Sequence, residues 1–149
     1  MKARDLMQPV GSVRPDDVCE ELVRYFRDPA HRVLAVVSEK GQVLGMITEE
    51  DVLNGLLPAY VLADEALAGV LEETAGAELA DRMKRRRVRD VVDLHRRGRE
   101  TVSPDDTLVE VGAAMARSND PGVLVVEGTN LLGAITVDRL LAVLLQPPS

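Results

Sequence analysis

Thr48 and Asp51 place a hydroxyl and a carboxylate three residues apart, directly after the apolar run Gly45-Met46-Ile47. A carboxylate can accept hydrogen bonds from two vicinal hydroxyls, and the free N–H groups at a helix start can face a ligand. The pair could therefore hold a sugar. The same spacing is also typical of a capping box, in which both side chains satisfy backbone N–H groups at the helix start. The two interpretations are compatible, and the sequence leaves both open.

The segment around this pair recurs near the end of the chain. The run from Gly45 to Asp51 has its counterpart in the run from Gly133 to Arg139. Each predicts a strand that leads into an amphipathic helix, with Thr48 or Thr136 as the N-cap residue. The copies differ because Arg139 stands where the first copy has its acid. An arginine in the first turn of a helix opposes the helix dipole by roughly 0.3–1 kcal/mol when exposed.

The repeat extends beyond this segment to most of both halves. Arg4-Asp5-Leu6 is echoed by Arg89-Asp90-Val91, and Val13-Arg14-Pro15-Asp16-Asp17 by Val102-Ser103-Pro104-Asp105-Asp106. In the first half we expect a helix to begin at Pro15 and to stop before Asp28-Pro29. An internal repeat of this length predicts two like units that face one another across a pseudo-twofold axis.

Each half also carries two strand-length apolar runs joined by a tight turn. They are predicted at 33–37 and 43–47 in the first half, and at 123–126 and 131–135 in the second. These runs have little polar alternation, so both faces of the strands are expected to be buried.

A stretch from residue 58 to residue 87 separates the halves. Its apolar residues recur at helical spacing, which predicts a helical insert whose apolar stripe covers the core or a second subunit. The predicted organisation is a first repeat at 1–57, the insert at 58–87 and a second repeat at 88–149. The apolar residues of the insert stripe are Leu62, Ala66, Leu67, Val70, Leu71, Leu79 and Met83.

Composition limits the classes of function. The chain has 149 residues, of which 46% are apolar, enough for one sizeable core or two small ones. No apolar run approaches the ~18 residues of a membrane span and no signal-peptide pattern opens the chain, so we expect a soluble cytoplasmic protein. A net charge of −7 argues against a general affinity for DNA or acidic membranes. Aromatic residues make up only 2%, which disfavours base stacking on single strands.

The basic residues are unevenly distributed. Nine of the 18 lysines and arginines lie between Arg82 and Arg99. Cations near a helix C-terminus favour the dipole, so this stretch could be a solvated linker. It could equally be a site for an anion or a partner protein, and the sequence does not decide between the two.

Neither catalysis nor metal binding is indicated. Cys19 is the single cysteine and occupies an apolar position of a predicted helix, so we expect a small core residue. The two histidines, His31 and His95, are far apart, and no zinc constellation can be written from them and one cysteine. No Ser/His/Asp ordering and no phosphate-binding glycine loop is present. No catalytic residue and no metal ligand is therefore predicted.

Four features follow one another in this order: the Arg-Asp-apolar opening, Val-x-Pro-Asp-Asp, the buried strand and the closing Gly-x-Ile-Thr. Together they resemble a tandem pair of cystathionine-β-synthase-type (CBS) domains, called a Bateman module. The resemblance covers nearly the whole chain outside the insert. It implies an α+β fold of two β-α-β-β-α repeats related by a pseudo-twofold axis. It also implies a non-catalytic module that requires no cofactor and binds an adenosyl compound such as AMP, ADP, ATP, S-adenosylmethionine or NAD in clefts between the repeats.

The resemblance also assigns roles to particular residues of the first cleft. Asp51 would accept hydrogen bonds from the 2′ and 3′ hydroxyls of a ribose. Backbone amides near the first strand would read the adenine edge, and Arg32 would bind phosphate. The acids Glu49 and Glu50 would repel a phosphate at the helix start, so phosphates should extend toward Arg32 or across to the other repeat. The first-cleft residues implied are Gly11, Ser12, Val13, Arg32, Val33, Thr48 and Asp51.

The second cleft is expected to differ, because it lacks the carboxylate. We hypothesise that Arg139 pairs with Asp138, with Asp120 or with a ligand phosphate, and that the two clefts are unequal. The alternative is a surface arginine beside a degenerate site. The residues that the resemblance implies for this cleft are Thr101, Val102, Gly122, Thr136 and Arg139.

The leading hypothesis is a homodimeric regulatory module that senses an adenosyl compound, with the insert at the dimer edge. The alternative is a ligand-free CBS pair that acts in dimerisation or docks on a protein target through the 82–99 stretch. Neither a membrane nor a nucleic acid is expected as a partner.

Overall fold

The computed structural model describes residues 1–57, 74–92, 94 and 101–146. The predicted insert is therefore described only from residue 74 onward, and its apolar residues Leu62 to Leu71 lie outside the described part. The elements, in chain order, are α1 Ala3–Leu6, β1 Ser12–Val13, α2 Cys19–Phe26, β2 Val33–Val37, β3 Val43–Thr48, α3 Glu49–Leu56, α4 Thr74–Arg85, α5 Val88–Val91, β4 Thr101–Val102, α6 Leu108–Ser118, β5 Gly122–Glu127, β6 Asn130–Thr136 and α7 Val137–Leu144.

Each half forms a three-stranded sheet with the same topology, which confirms the predicted repeat. The strand order is β1-β2-β3 in the first sheet and β4-β5-β6 in the second. The short first strand pairs in parallel with the buried strand, which pairs antiparallel with the returning strand. Gly41 and Gly128 turn the two hairpins with φ values of 79° and 65°, a left-handed conformation that glycine adopts without steric cost.

The two sheets pack against each other at the centre of the molecule. Side chains from one face of each sheet form a shared apolar cluster, in which Ala35 and Met46 pack with Leu124 and Ala134. The hairpins also touch at their tips, where the Val43 N–H donates to the Thr129 carbonyl at 2.9 Å. The opposite face of each sheet is covered by its helices, which completes the pseudo-twofold arrangement of two α+β repeats.

Two predictions about the first repeat are corrected by the structure. The helix predicted to begin at Pro15 begins at Cys19, because the Asp17 carboxylate instead accepts from the Arg14 N–H at 2.8 Å and closes a turn. Strand β2 is buried along its whole length as expected, but β3 is buried only in its second half, and Leu44 is 42% exposed. The helix does stop before Asp28 as predicted.

The opening turn of each half packs onto the other half. In α1 the Ala3 N–H donates to the Asp106 carbonyl at 2.8 Å, and in α5 the Val88 N–H donates to the Asp17 carbonyl at 2.8 Å. Leu6 is fully buried among residues of the second repeat. The repeated Arg-Asp motif is visible in the sequence, whereas this exchange between the halves was not predicted. Two surface ion pairs also join each opening turn to the other half, one between Arg4 and Asp105 and one between Arg89 and Asp16.

The described part of the insert covers the first core, one of the two places expected for its stripe. Leu79 and Met83 of α4 pack against the cluster that contains Cys19, itself fully buried as predicted. The Arg82 guanidinium donates to the Leu56 carbonyl at 3.1 Å and so satisfies a backbone acceptor at the end of α3. Helices α3 and α4 are thereby joined at the C-terminal end of α3.

Replacing Gly55 by alanine is expected to destabilise the fold by about 1–3 kcal/mol. A Cβ atom at Gly55 would lie 2.4 Å from the Val91 side chain, so α3 and α5 would have to separate. Gly76 in α4 is the matched control, because a Cβ there meets nothing within 4 Å and alanine should stabilise the helix by up to about 1 kcal/mol. Urea unfolding of both variants measures the difference. Equal effects of the two changes would contradict the close approach of α3 to α5.

Candidate functional site

One edge of the first sheet brings most of the predicted first-cleft residues into a row. Val33 at the start of β2 pairs with Thr48 at the end of β3, and Ser12 of β1 pairs with Ala35 two residues further along β2. The segment that leads into β1 therefore lies beside the start of β2, on the side opposite Thr48. Adjacent strands are about 4.8 Å apart, so this segment and Thr48 are separated by about 10 Å across the edge.

Thr48 and Asp51 form the capping box at the start of α3. The Thr48 N–H donates to Asp51 Oδ2 at 2.8 Å, and the Asp51 N–H donates to Thr48 Oγ1 at 3.3 Å. The Thr48 hydroxyl also donates to Asp51 Oδ2 at 3.0 Å, and Thr48 is only 3% exposed. The capping interpretation is confirmed. It fixes the Asp51 carboxylate at the sheet edge beside Val33.

On the other side of Val33, the backbone of Ser12 is directed outward. The Ala35 N–H donates to the Gly11 carbonyl at 2.9 Å, and in a parallel ladder this register also directs Val13 toward β2. The N–H and C=O groups of Ser12 therefore point away from β2. Of the three residues assigned to this region, Ser12 is the one whose amide can read a base.

Three valines of the predicted set contribute only backbone to the edges of the two sheets. Val13 belongs to the core of the first repeat and Val102 to the core of the second, and each is 3% exposed. Val33 is 2% exposed and lies in the cluster between the sheets. Their side chains are excluded from ligand contact because alternate residues of a strand point to opposite faces, and these point inward.

Arg32 precedes β2 and is exposed, as a phosphate-binding cation would be. Its positive charge helps to lower the pKa of Asp138, a residue of α7 in the second repeat. The Arg32 charge therefore lies within electrostatic reach of α7 in the other repeat.

The second sheet repeats this edge with different side chains. Gly122 pairs with Thr136, as Val33 pairs with Thr48, and Thr101 is exposed on β4. Thr136 is the N-cap residue of α7, but its side chain does not cap the helix, contrary to the prediction. It hydrogen-bonds the Asp138 carboxylate, and this bond is the main reason that the pKa of Asp138 lies below its ordinary value.

Asp138 was expected only as a partner of Arg139, and its bond to Thr136 was not predicted. A threonine and an aspartate two residues apart can bond each other or nearby backbone, and the Thr-x-Asp spacing could have signalled this. Arg139 forms no ion pair within the described part of the chain, so pairing of Arg139 with Asp138 is not found. Asp138 is the counterpart of Glu50, so the second edge keeps a carboxylate bonded to its threonine but has none at the position of Asp51.

The family is decided by a sequence match over both halves. The CBS domain model matches residues 3–58 and 88–146. The chain belongs to the CBS-domain family. A CBS domain-containing protein of unknown function from Kribbella flavida is 32% identical, with 98% of this chain and 99% of that chain covered and a TM-score of 0.76.

Two further solved CBS structures are similar over almost the whole chain. The CBS domain of a membrane protein from Sphaerobacter thermophilus is 26% identical, with a TM-score of 0.72 and coverage of 97% of this chain and 88% of that one. The cytosolic domain of the Mg²⁺ channel MgtE, solved in complex with ATP, is also 26% identical, with a TM-score of 0.65 and coverage of 95% and 48%. No similar curated protein was found.

The CBS pair also carries an apolar groove on the outer side of its first repeat. A cavity of about 440 Å³ lies between α2, α3 and α4 and is lined by Phe26, Leu53 and Met83, with Glu49 and Glu50 at its rim. Leu53 is 54% exposed. Its counterpart on α7 of the second CBS repeat, Leu141, is 53% exposed, so both repeats present a leucine at the same helical position.

Most of the described arginines of the basic stretch act within the CBS fold. Arg82 holds the Leu56 carbonyl, Arg87 donates to the Asp16 carbonyl at 2.8 Å, and Arg89 pairs with the Asp16 carboxylate. These three arginines therefore make contacts within the fold, which neither interpretation of the basic stretch predicted.

Two further features bear on the class of site. In the portion of the chain that the structure describes, no group of three or more His, Cys, Asp or Glu residues could hold a metal ion. No helix there has the length and apolar character needed to cross a bilayer.

Proposed function

We propose that this CBS pair is a non-catalytic regulatory module that binds an adenine nucleoside or nucleotide at the β1–β2–β3 edge. The observation that carries the proposal is the Asp51 carboxylate, fixed where β3 ends beside Val33, with the outward amide of Ser12 on the opposite side of β2. A nucleoside needs a carboxylate for its vicinal hydroxyls and a backbone amide for its base edge, and here the two lie at the outer strands of one three-stranded sheet, two strand spacings of about 4.8 Å apart.

The charges around this edge orient the proposed ligand. Glu49 and Glu50 are exposed at the start of α3 and repel a phosphate placed there. The Arg32 charge lies within electrostatic reach of α7 in the second repeat, so the phosphates extend toward Arg32 and into the interface between the repeats. The ATP bound by the similar MgtE domain supports an adenine nucleotide as the ligand class.

A ligand at this interface can transmit a signal only by favouring one arrangement of repeats or subunits over another. We propose a homodimer as the responding assembly. The half-exposed leucines Leu53 and Leu141 occupy equivalent positions on α3 and α7, and a second copy would remove both from water.

A thermal unfolding panel tests the function. AMP, ADP, ATP, S-adenosylmethionine and NAD are added to the full chain, with GMP as the base-specificity control. At 100 times the Kd, a ligand of the folded state adds about 2.7 kcal/mol of apparent stability. We expect this for at least one adenosyl compound and not for GMP, together with a dimer in sedimentation equilibrium. If no adenosyl compound shifts unfolding while the dimer persists, the ligand-free interaction module is the correct function.

A further inference from the structure

A second cavity lies on the first repeat, at the junction of α4 and α5. Its volume is about 440 Å³, and the described residues that line it are Arg82, Arg85, Arg86 and Asp90. Arg82 and Arg85 belong to the last turn of α4, and Arg86 follows that turn directly, with its N–H donating to the Arg82 carbonyl at 2.7 Å, so that the three share one face at the end of the helix. The last turn of α4 therefore directs several guanidinium groups toward one small space.

The positive charge of this cavity is only partly neutralised. Arg82 donates to the Leu56 carbonyl, a neutral acceptor, and keeps its full charge. Arg85 pairs with Asp81 at 2.8 Å, but both side chains are more than half exposed, so solvent screens this pair. Among the described residues, Arg86 makes no ion pair.

Asp90, the one carboxylate among the described lining residues, is already engaged. Asp90 Oδ2 accepts from the Arg87 N–H at 2.9 Å. Arg86 lies beside the buried Cys19, whose N–H donates to the Arg86 carbonyl at 2.8 Å, and Arg86 and Asp90 line the same cavity. Among the described residues of the lining, three guanidinium groups against one carboxylate give an excess of positive charge, which a bound anion would relieve.

We infer that the Arg82, Arg85 and Arg86 cavity binds a small, multiply charged oxyanion of the phosphate type. Guanidinium groups offer paired donors that match the oxygens of phosphate. The volume lies within the range of small-molecule sites. The cavity is also separate from the nucleoside edge, because Arg82 contacts Leu56 at the C-terminal end of α3 whereas Asp51 lies in its first turn, about 7.5 Å away along the helix axis.

Calorimetric titration of the full chain with inorganic pyrophosphate, at constant ionic strength, tests this inference. We expect Arg86→Gln and Arg85→Gln each to weaken binding about tenfold or more. Lys84→Gln removes an exposed charge of the same helix that does not line the cavity, and it should change affinity less than twofold. Arg85 is exposed, so its variant keeps the test valid if Arg86→Gln fails to fold.

Three results would overturn the site. Pyrophosphate could fail to bind at millimolar concentration. Lys84→Gln could lose as much affinity as Arg86→Gln, which would show unspecific attraction to the basic stretch. Arg32→Gln could abolish binding while Arg85→Gln and Arg86→Gln leave it intact, which would place the anion at the nucleoside edge instead. Asp51→Ala should leave pyrophosphate affinity unchanged, so this inference and the proposed nucleoside function fail separately.

Discussion

Replacing Leu6 by alanine is expected to lower the free energy of unfolding by about 2–5 kcal/mol. Leu6 is 1% exposed and packs with Val111 and Ile135 in the core of the second repeat. Removing its side chain leaves a cavity that the sheet and helix around it can fill only in part. A loss of this size is a large fraction of the ~5–15 kcal/mol that stabilises a typical domain.

The region of the protein that becomes less stable is the stricter test of this prediction. Hydrogen exchange should accelerate in β4–β6 and α6, about 100 residues away in sequence, more than in β1–β3. Val109→Ala in α6 is the control, because Val109 is 82% exposed and surface changes usually stay within about 0.5 kcal/mol. Faster exchange confined to β1–β3 would show that α1 belongs to its own half and that the exchange of opening turns is wrong.

Asp51→Ala is expected to weaken binding of an adenosyl ligand about ten- to a hundredfold. Hydrogen bonds to a charged group contribute about 1.5–3 kcal/mol each, and the carboxylate is the proposed acceptor for the ribose hydroxyls. The same change removes half of a capping box, which costs about 0.5–2 kcal/mol of stability with or without ligand. The measurement is therefore the ligand-induced shift in unfolding, not the stability of the free protein.

Helix α6 supplies a control with the same local chemistry. The Thr107 hydroxyl donates to Glu110 Oε1 at 3.0 Å, and the Glu110 N–H donates to Thr107 Oγ1 at 3.3 Å, the geometry of the Thr48–Asp51 box. This cap lies next to α1, where Thr107 pairs with Lys2, rather than at the proposed ligand edge. Glu110→Ala should cost similar stability and leave the ligand shift intact. If both variants reduce the shift equally, Asp51 is only a cap.

The strands could be predicted closely because their signal is local and written twice. The run 33–37 became β2 without change, and the antiparallel partner predicted at 43–47 gained only Thr48. Pro15 misled the helix prediction, because Asp17 bonds a backbone N–H before the helix can begin. Competition between side chain and backbone for the same donor is decided by geometry that composition does not encode.

The sequence predicted the part of the candidate site that depends on neighbouring residues and missed the part that depends on geometry. The spacing of Thr48 and Asp51 already specified a box at a strand end, and the structure added its position beside Val33. The sequence could not predict which of these residues contribute only backbone atoms to the site. The direction of the Val13 and Val102 side chains depends on which face of each sheet packs on the core. Thr136 has the same residue type as Thr48 but bonds Asp138 instead of capping its helix.

The sequence by itself determined the duplication, the order of strands and helices, and the difference between the copies at positions 51 and 139. These features are carried by residues close together along the chain. Only the tertiary structure decided that α1 joins the second repeat, that α5 joins the first, and that Arg86 lies beside Cys19 and lines one cavity with Asp90. The two opening turns carry the same Arg-Asp motif, and each docks on the same Pro-Asp-Asp turn chemistry. Because this local pattern is the same in both halves, it cannot predict which half each turn packs against. The burial of Leu6 and Val88 decides the packing in the folded structure.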